Sequence, residues 1–391
     1  MRRVATESPT GTIRPNAPIN HPEMNPGRLV AVGYGTRPQV IKVARLLPAL
    51  SQRFTTLTID TGQHYDYELN ALLYEQLKVP HPDALLGVGS AARDEQLGRI
   101  ENSCIDVLRR ARPDAMVVIG DTNSTLGCAR AANSLRIPVV HVEAGLRSYV
   151  LHMAEEMNRV EVDRIGTLLC APSRAAMAAL ETERLADRAC LTGDIARDVL
   201  ELAVRRGLPD PPADWPLSPG APYLFATLHR AELTDDPRVL ADVLGALAAL
   251  SVPVVLALHP RTRDRLPQGD TLARRGLLHI IRPLGYFDAL AAIRRSRGAV
   301  TDSGGVQREA YWLGVPCLTL RRETEWTETV ACGANRLVDP ARAPQELAKA
   351  VDGMLTTPAS WDRSEYGHGA AADAIVSAMT GLSFLSHGPG E

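Results

Sequence analysis

At 391 residues, 45% hydrophobic and 23% charged, the chain is long enough to bury two ordinary α/β cores. Lys and Arg number 43 against 45 Asp and Glu, a formal net charge of -2, so no long-range field draws the chain to nucleic acid or an anionic membrane. Neither is expected as a partner, and any anion must be held by local geometry.

The first 27 residues carry five prolines and no apolar run, so 1–27 reads as a disordered tail without a signal-peptide core. No later stretch is apolar enough to span a bilayer. Six cysteines (Cys104, Cys128, Cys170, Cys190, Cys317 and Cys332) lack a C-x-x-C pair and sit mostly in apolar runs. They read as reduced core thiols of a soluble, cytoplasmic protein.

From Arg28 onward, short apolar runs alternate with amphipathic ones: "RLVAVGYG", "PQVIKVARLLPAL", "FTTLTIDTG", "DAMVVIGD", "STLGCARAANSL", "IPVVHVEAG". That alternation predicts βαβ units and a parallel sheet over an N-terminal domain, 28–195. The first strand ends in "GYGTRPQVIK", where Arg37 and Lys42 add charge to a helix N-terminus that can hold a phosphate; a plain glycine turn is the other reading. "VVIGDTNSTLG" places Asp121 just past a strand, either in the site or as the cap of the next helix. In "PVVHVEAGLRS", Glu143 lies between an apolar strand and a glycine turn, a costly place for a carboxylate without purpose. "MAEEMNRVEVDRIG" sets Glu155, Glu156 and Arg159 on a helix, with a solvated Glu155–Arg159 pair as the plainer account. Asp121, Glu143 and Glu155 converging on one cleft would suit proton removal and return at carbon.

After the proline-rich "LPDPPADWPLSPGAP" the pattern restarts, predicting a second Rossmann-like domain over 196–365, with 366–391 forming a helix that packs back on the first domain, and a tail. Two such sheets face a central cleft at their carboxyl ends. His229 and His259 end strands there. "VTDSGGVQREAYWLG" breaks at Ser303, Gly304 and Gly305 before a helix, an arrangement that aims backbone N–H groups at an anion. It matches neither the dinucleotide fingerprint nor the P-loop. Glu309, in the first turn of a helix from about Val306, either accepts from ribose hydroxyls or is a carboxylate favoured there by the helix dipole. "RRETEWTETVACGANRLVD" reads as a loop over the cleft, with Trp326 as its anchor or a ligand contact.

Taken together, "GTRPQVIK", "TGQHYDYEL", "GDTNSTLG", "HVEAGLRS", "EEMNR", "TLHRAEL", "HPRTR", "TDSGGVQREAYWLGVPCLTLR" and "ETEWTETV" resemble the non-hydrolysing UDP-N-acetylglucosamine 2-epimerases, in order and spacing, from about Arg28 to about Asp339. The wording is most similar to the branch holding archaeal-type members and UDP-2,3-diacetamido sugar 2-epimerases. The resemblance implies a two-domain fold like the GT-B glycosyltransferases, a homodimer, a UDP-sugar substrate, and no metal or nicotinamide cofactor. It implies inversion at C2 by elimination of UDP to a 2-acetamidoglycal and re-addition. Asp121, Glu143 and Glu155 then match the proton-transfer carboxylates and His229 the histidine beside the diphosphate. Arg37 and Lys42 match the first-loop cations, Arg147 and Arg159 the cleft arginines, Ser303, Gly304 and Gly305 the phosphate turn, and Glu309 the ribose carboxylate.

Three positions depart from the family pattern: Gln39 and Arg308 where glutamates are usual, and Ala154 for a proline. Arg308 adds a cation that could signal a different nucleotide sugar. Gln63 and His64 belong to a segment through which some members bind UDP-GlcNAc as activator; with Tyr67 in place of methionine, activation is expected to be absent. A hydrolysing 2-epimerase, a GT-B glycosyltransferase and a nucleotide-sugar binding protein are the competing readings.

Overall fold

The alternating runs fold into two seven-stranded sheets. A computed structural model describes residues 27–63, 73–150, 152–258, 262–263, 265, 274–357, 360–382 and 385; the expected tail up to residue 26, His64, Tyr67 and His259 lie outside them. The first sheet holds β1 (Leu29–Tyr34), β2 (Thr55–Asp60), β3 (Ala84–Leu85), β4 (Ala115–Ile119), β5 (Val139–Val142), β6 (Leu168–Ala171) and β7 (Ala189–Leu191). Their order is β3-β2-β1-β4-β5-β6-β7, all parallel. The second holds β8 (Leu224–Leu228), β9 (Val254–Leu258), β10 (Arg274–Arg275), β11 (Leu278–Ile281), β12 (Gly298–Thr301), β13 (Cys317–Thr319) and β14 (Asn335–Leu337). Its order is β10-β11-β9-β8-β12-β13-β14, with only the β10–β11 pair antiparallel.

Strand residues split by period two between the faces: Val30, Val32 and Tyr34 enter one core cluster and Ala31 the opposite one. Helices cover both faces, which is why the strands are apolar throughout rather than alternating. The chain therefore has the two Rossmann-like domains expected. Strand order reverses between β1 and β4 and again between β8 and β12, the switch points where doubly wound sheets open a crevice.

Helix Ile195–Arg206 packs against helix Arg37–Leu50, placing Ile195, Val199, Leu200 and Ala203 in the first core. The expected division after residue 195 falls at the start of this helix, and the proline-rich stretch follows it. Helix Ala371–Thr380 packs on both, its first amides donating to Asp198 from Ala371 and Ala372 at 3.0 and 2.9 Å. The same core reaches the second domain through Tyr311, Trp312 and Trp326, with Tyr366 of the C-terminal segment packed against them. Tyr366 meets the other three edge to face, with centroids 5.5 to 6.0 Å away.

Candidate active site

At the first switch point the chain leaves β1 through Gly35 and Thr36 into helix Arg37–Leu50. Gly35 has no room for a Cβ, which would overlap Thr61 and Ser124. Gln39 ties this turn to β4: its Oε1 accepts from the Gly35 and Thr36 amides (2.9 and 3.1 Å), and its Nε2 donates to Ile119 O and Thr125 Oγ1 (2.7 and 2.9 Å). A glutamate there would have nothing to donate. Arg37 is half-buried at the first helical position. Gln63 Oε1 accepts from Ser124 N and Oγ at 3.0 and 2.7 Å.

Lys42, one turn on, points inward. Expected at a phosphate, its Nζ instead donates to Glu143 Oε2 at 2.6 Å, and both residues are buried. Glu143 follows β5 with φ of 70°, a left-handed conformation that costs a side-chain-bearing residue about 1 kcal/mol or more. Arg308 of the second domain donates to its other oxygen at 3.2 Å. Burial alone would raise the Glu143 carboxyl, but Lys42 and Arg308 outweigh it and hold the group at about 2.

Asp121 lies beyond β4 and accepts from Arg159 Nη2 at 2.5 Å; the cap of helix Asn123–Ser134 is Thr122 rather than Asp121. Arg159 also donates to Glu156 at 2.9 Å, so the Glu155–Arg159 pair is not made. Glu156 is the structural member of its pair, accepting from Ser148 N, Ser148 Oγ and Tyr149 N at 2.9 to 3.0 Å. Glu155 is half-buried in the first turn of helix Ala154–Ile165, and its charge acts on Arg230 of the second domain. Arg147, expected in the cleft, is buried and occupied within its own domain by Asp163 (2.8 Å) and both oxygens of Glu183 (2.7 and 2.8 Å). His141 completes this strut, linking Asp163 at 2.7 Å to the Gly120 carbonyl at 2.8 Å, directly before Asp121.

At the second switch point Asp302 does what sequence reasoning did not assign to it. Fully buried after β12, it accepts from the His229 and Arg230 amides at 2.8 Å each and faces His229 Nδ1 at 3.2 Å. Burial would raise its carboxyl, but His229 and these amides hold it below the usual range. The imidazole is thus oriented from behind. A strand-end aspartate one residue before Ser303 was the available signal. Ser303 caps helix Gly304–Leu313, leaving first-turn N–H groups without helical partners. A Cβ on Gly304 would stand 2.7 Å from Glu325 Oε1 and 3.0 Å from Trp326 Nε1. Glu309 is half-buried on this helix, and burial pushes its carboxyl up to about 7 despite Arg308 nearby.

The segment from Arg321 to Trp326 turns most of its side chains inward, with Arg322 exposed. Arg321, Thr324, Glu325 and Trp326 are all buried, and Trp326 lies beneath the Arg308 guanidinium, 3.8 Å from ring centroid to Cζ. Burial would raise Glu325, yet Arg321 at 3.0 Å, Arg230 at 3.8 Å and Arg159 hold it at about 2. Arg308 is no spare cation either, since it donates to Asp194 as well as Glu143. The two switch points face each other through these contacts: carboxylates on one side, an anion-ready helix start and an oriented histidine on the other.

A family model described as UDP-N-acetylglucosamine 2-epimerase matches residues 49–380. The UDP-2,3-diacetamido-2,3-dideoxy-D-glucuronate 2-epimerase of Pseudomonas aeruginosa is 37% identical, covering 89% of this chain and 98% of its own length. The crystal structure of Methanocaldococcus jannaschii UDP-GlcNAc 2-epimerase in complex with UDP-GlcNAc and UDP superposes with a TM-score of 0.81 at 33% identity, over 90% of this chain and 98% of that one. A calicheamicin glycosyltransferase, 14% identical with a TM-score of 0.56 over 91% of this chain and 99% of its own, shares the fold alone.

Proposed function

The chain belongs to the UDP-N-acetylglucosamine 2-epimerase family, and from that premise we propose that it inverts C2 of a UDP-2-acetamido sugar without net hydrolysis. The observation that supports this reading is that Arg308, on the helix beginning at the Ser303–Gly305 turn, donates to Glu143 at 3.2 Å, while the Glu155 charge acts on Arg230 and Arg159, the partner of Asp121, feels Glu325 of the second domain.

In this reading the diphosphate lies on the N–H groups of Gly304 and Gly305, beside His229, with Arg37 adding charge from the first domain and Glu309 accepting from the ribose. The C1–O bond breaks with its electron pair going to the diphosphate, and a carboxylate takes the C2 proton, leaving a 2-acetamidoglycal. Lys42 and Arg308 hold Glu143 ionised, which leaves it able to accept a proton while lowering its basicity. UDP then adds back to C1 while a second carboxylate, Asp121 or Glu155, returns a proton to the opposite face of C2.

UDP-GlcNAc is the proposed substrate. A UDP-2,3-diacetamido sugar is the second reading, favoured by the 37% identity to the Pseudomonas aeruginosa enzyme. Incubation with each UDP-sugar in deuterated water tests both: deuterium at C2 with UDP still attached is expected, and binding without exchange would refute the epimerase. We further infer a homodimer, to be checked by light scattering, and a cytoplasmic location, supported by six cysteines that are all unpaired.

A further inference from the structure

Four charged side chains meet where the two domains touch. Lys42 comes from helix Arg37–Leu50, Glu143 from the end of β5, Asp194 from the cap of helix Ile195–Arg206, and Arg308 from helix Gly304–Leu313. They are 7%, 5%, 0% and 6% exposed, so water screens none of them. Lys42 Nζ donates to Glu143 Oε2 at 2.6 Å, while Arg308 Nη1 donates to Glu143 Oε1 at 3.2 Å and also to Asp194. Two cations and two anions balance, and removing one leaves an uncompensated charge in the interior.

Arg308 is the member that the second domain supplies. Its guanidinium is fixed by aromatic faces, 3.8 Å from the Trp326 ring centroid and 5.8 Å from that of Trp312. The helix that carries it starts at the Ser303–Gly305 turn. One rigid element thus presents the anion turn at its start and, one turn later, the counter-ion of a carboxylate in the other domain.

We propose that Arg308 is a positioning residue for the epimerisation: from the nucleotide-binding helix it orients and charge-balances Glu143, so that the sugar-facing carboxylate is assembled only when the second domain is docked. This rests on the reading that Glu143 acts at the sugar ring. Without Arg308, Lys42 alone faces Glu143 and Asp194, and the carboxylates must separate or one must take a proton. Removing the Asp194 charge as well restores a neutral Lys42–Glu143 pair. Asparagine at 194 keeps the helix cap, because its side-chain oxygen still accepts from Ala196 N, now 2.8 Å away.

The experiment compares wild type, R308M and the D194N/R308M double variant by kcat and KM, C2 deuterium exchange and UDP affinity, using the UDP-sugar that wild type exchanges. R308M should lose about 10–100-fold in kcat and exchange, the usual scale for a residue acting through another, with the UDP Kd within about threefold. The double variant should regain about tenfold of that loss. Should R308M fail to fold, the charge-balanced double variant carries the test, with kcat within about tenfold of wild type expected. Unchanged kcat in R308M, a loss confined to UDP affinity, or no recovery in the double variant would overturn the assignment. Absence of C2 exchange in wild type would instead defeat the epimerase reading itself.

Discussion

Glu309 is poised between charged and neutral near neutral pH, which makes nucleotide binding measurable as a proton equilibrium. Burial raises its carboxyl from 4.5 to about 7. If ribose hydroxyls donate to the ionised form, protonation competes with binding by a factor of about 1 + 10^(7 - pH). Affinity should then be about twofold below its limit at pH 7 and about elevenfold below at pH 6, close to 1.4 kcal/mol per unit. Glu309→Gln keeps the shape but cannot ionise, so it should bind about tenfold or more weakly, the loss of one charge-assisted bond, and its affinity should be flat with pH. Calorimetry with a UDP-hexose suits the test, because a diphosphate diester does not titrate in this range; two buffers of different ionisation enthalpy would report about half a proton released at pH 7. A wild-type affinity flat from about pH 6 to pH 8, or a glutamine variant with the parental slope, would refute the ribose role. The stability sign is opposite: the stability gained because the fold favours the protonated carboxyl is fully present below about 4.5 and lost as pH rises through about 7. Glu309→Gln should therefore melt no lower than the parent at about pH 8.

Other residues give independent tests. Glu143→Gln should abolish C2 exchange and, by leaving Lys42 and Arg308 with Asp194 as the one anion of their cluster, lower unfolding stability as well; retained exchange in the folded variant would refute the proposed role at the sugar. Gln39→Glu should lower unfolding stability by about 1–3 kcal/mol in denaturant titrations, because the Ile119 carbonyl and Thr125 hydroxyl lose their donor and a carboxylate is buried beside them; unchanged stability would refute that account. Gly304→Ala should weaken UDP binding, its Cβ falling 2.7 Å from Glu325 Oε1, whereas Gly305→Ala, whose Cβ would have ordinary contacts at 3.7 and 3.9 Å, should be milder. Equal effects of the two would remove the steric argument.

Much of the molecule is legible in local pattern. Apolar runs of strand length between helical ones dictate parallel βα units, and the polar residues that end those runs must lie at the carboxyl edge of a sheet. That places Asp121, Glu143, His229 and the Ser303–Gly305 turn correctly with respect to their strands without any tertiary information. The partners of the charged groups are different in kind. Lys42 and Glu143 are separated by 101 positions in sequence, Arg308 and Glu143 by 165, and nothing in either neighbourhood encodes the other. Which cation meets which anion depends on how helices pack on their own sheet and how the two domains meet, and burial then makes the choice strict, because an unpaired interior charge is so costly. Folding of the first domain itself pairs Lys42 with Glu143 and Arg147 with Asp163, packing buries Arg321, Thr324, Glu325 and Trp326, and helix Ile195–Arg206 joins the first core. Arg308, an oddity in the linear pattern, acquires its meaning only there, as the charge through which one domain holds a carboxylate of the other.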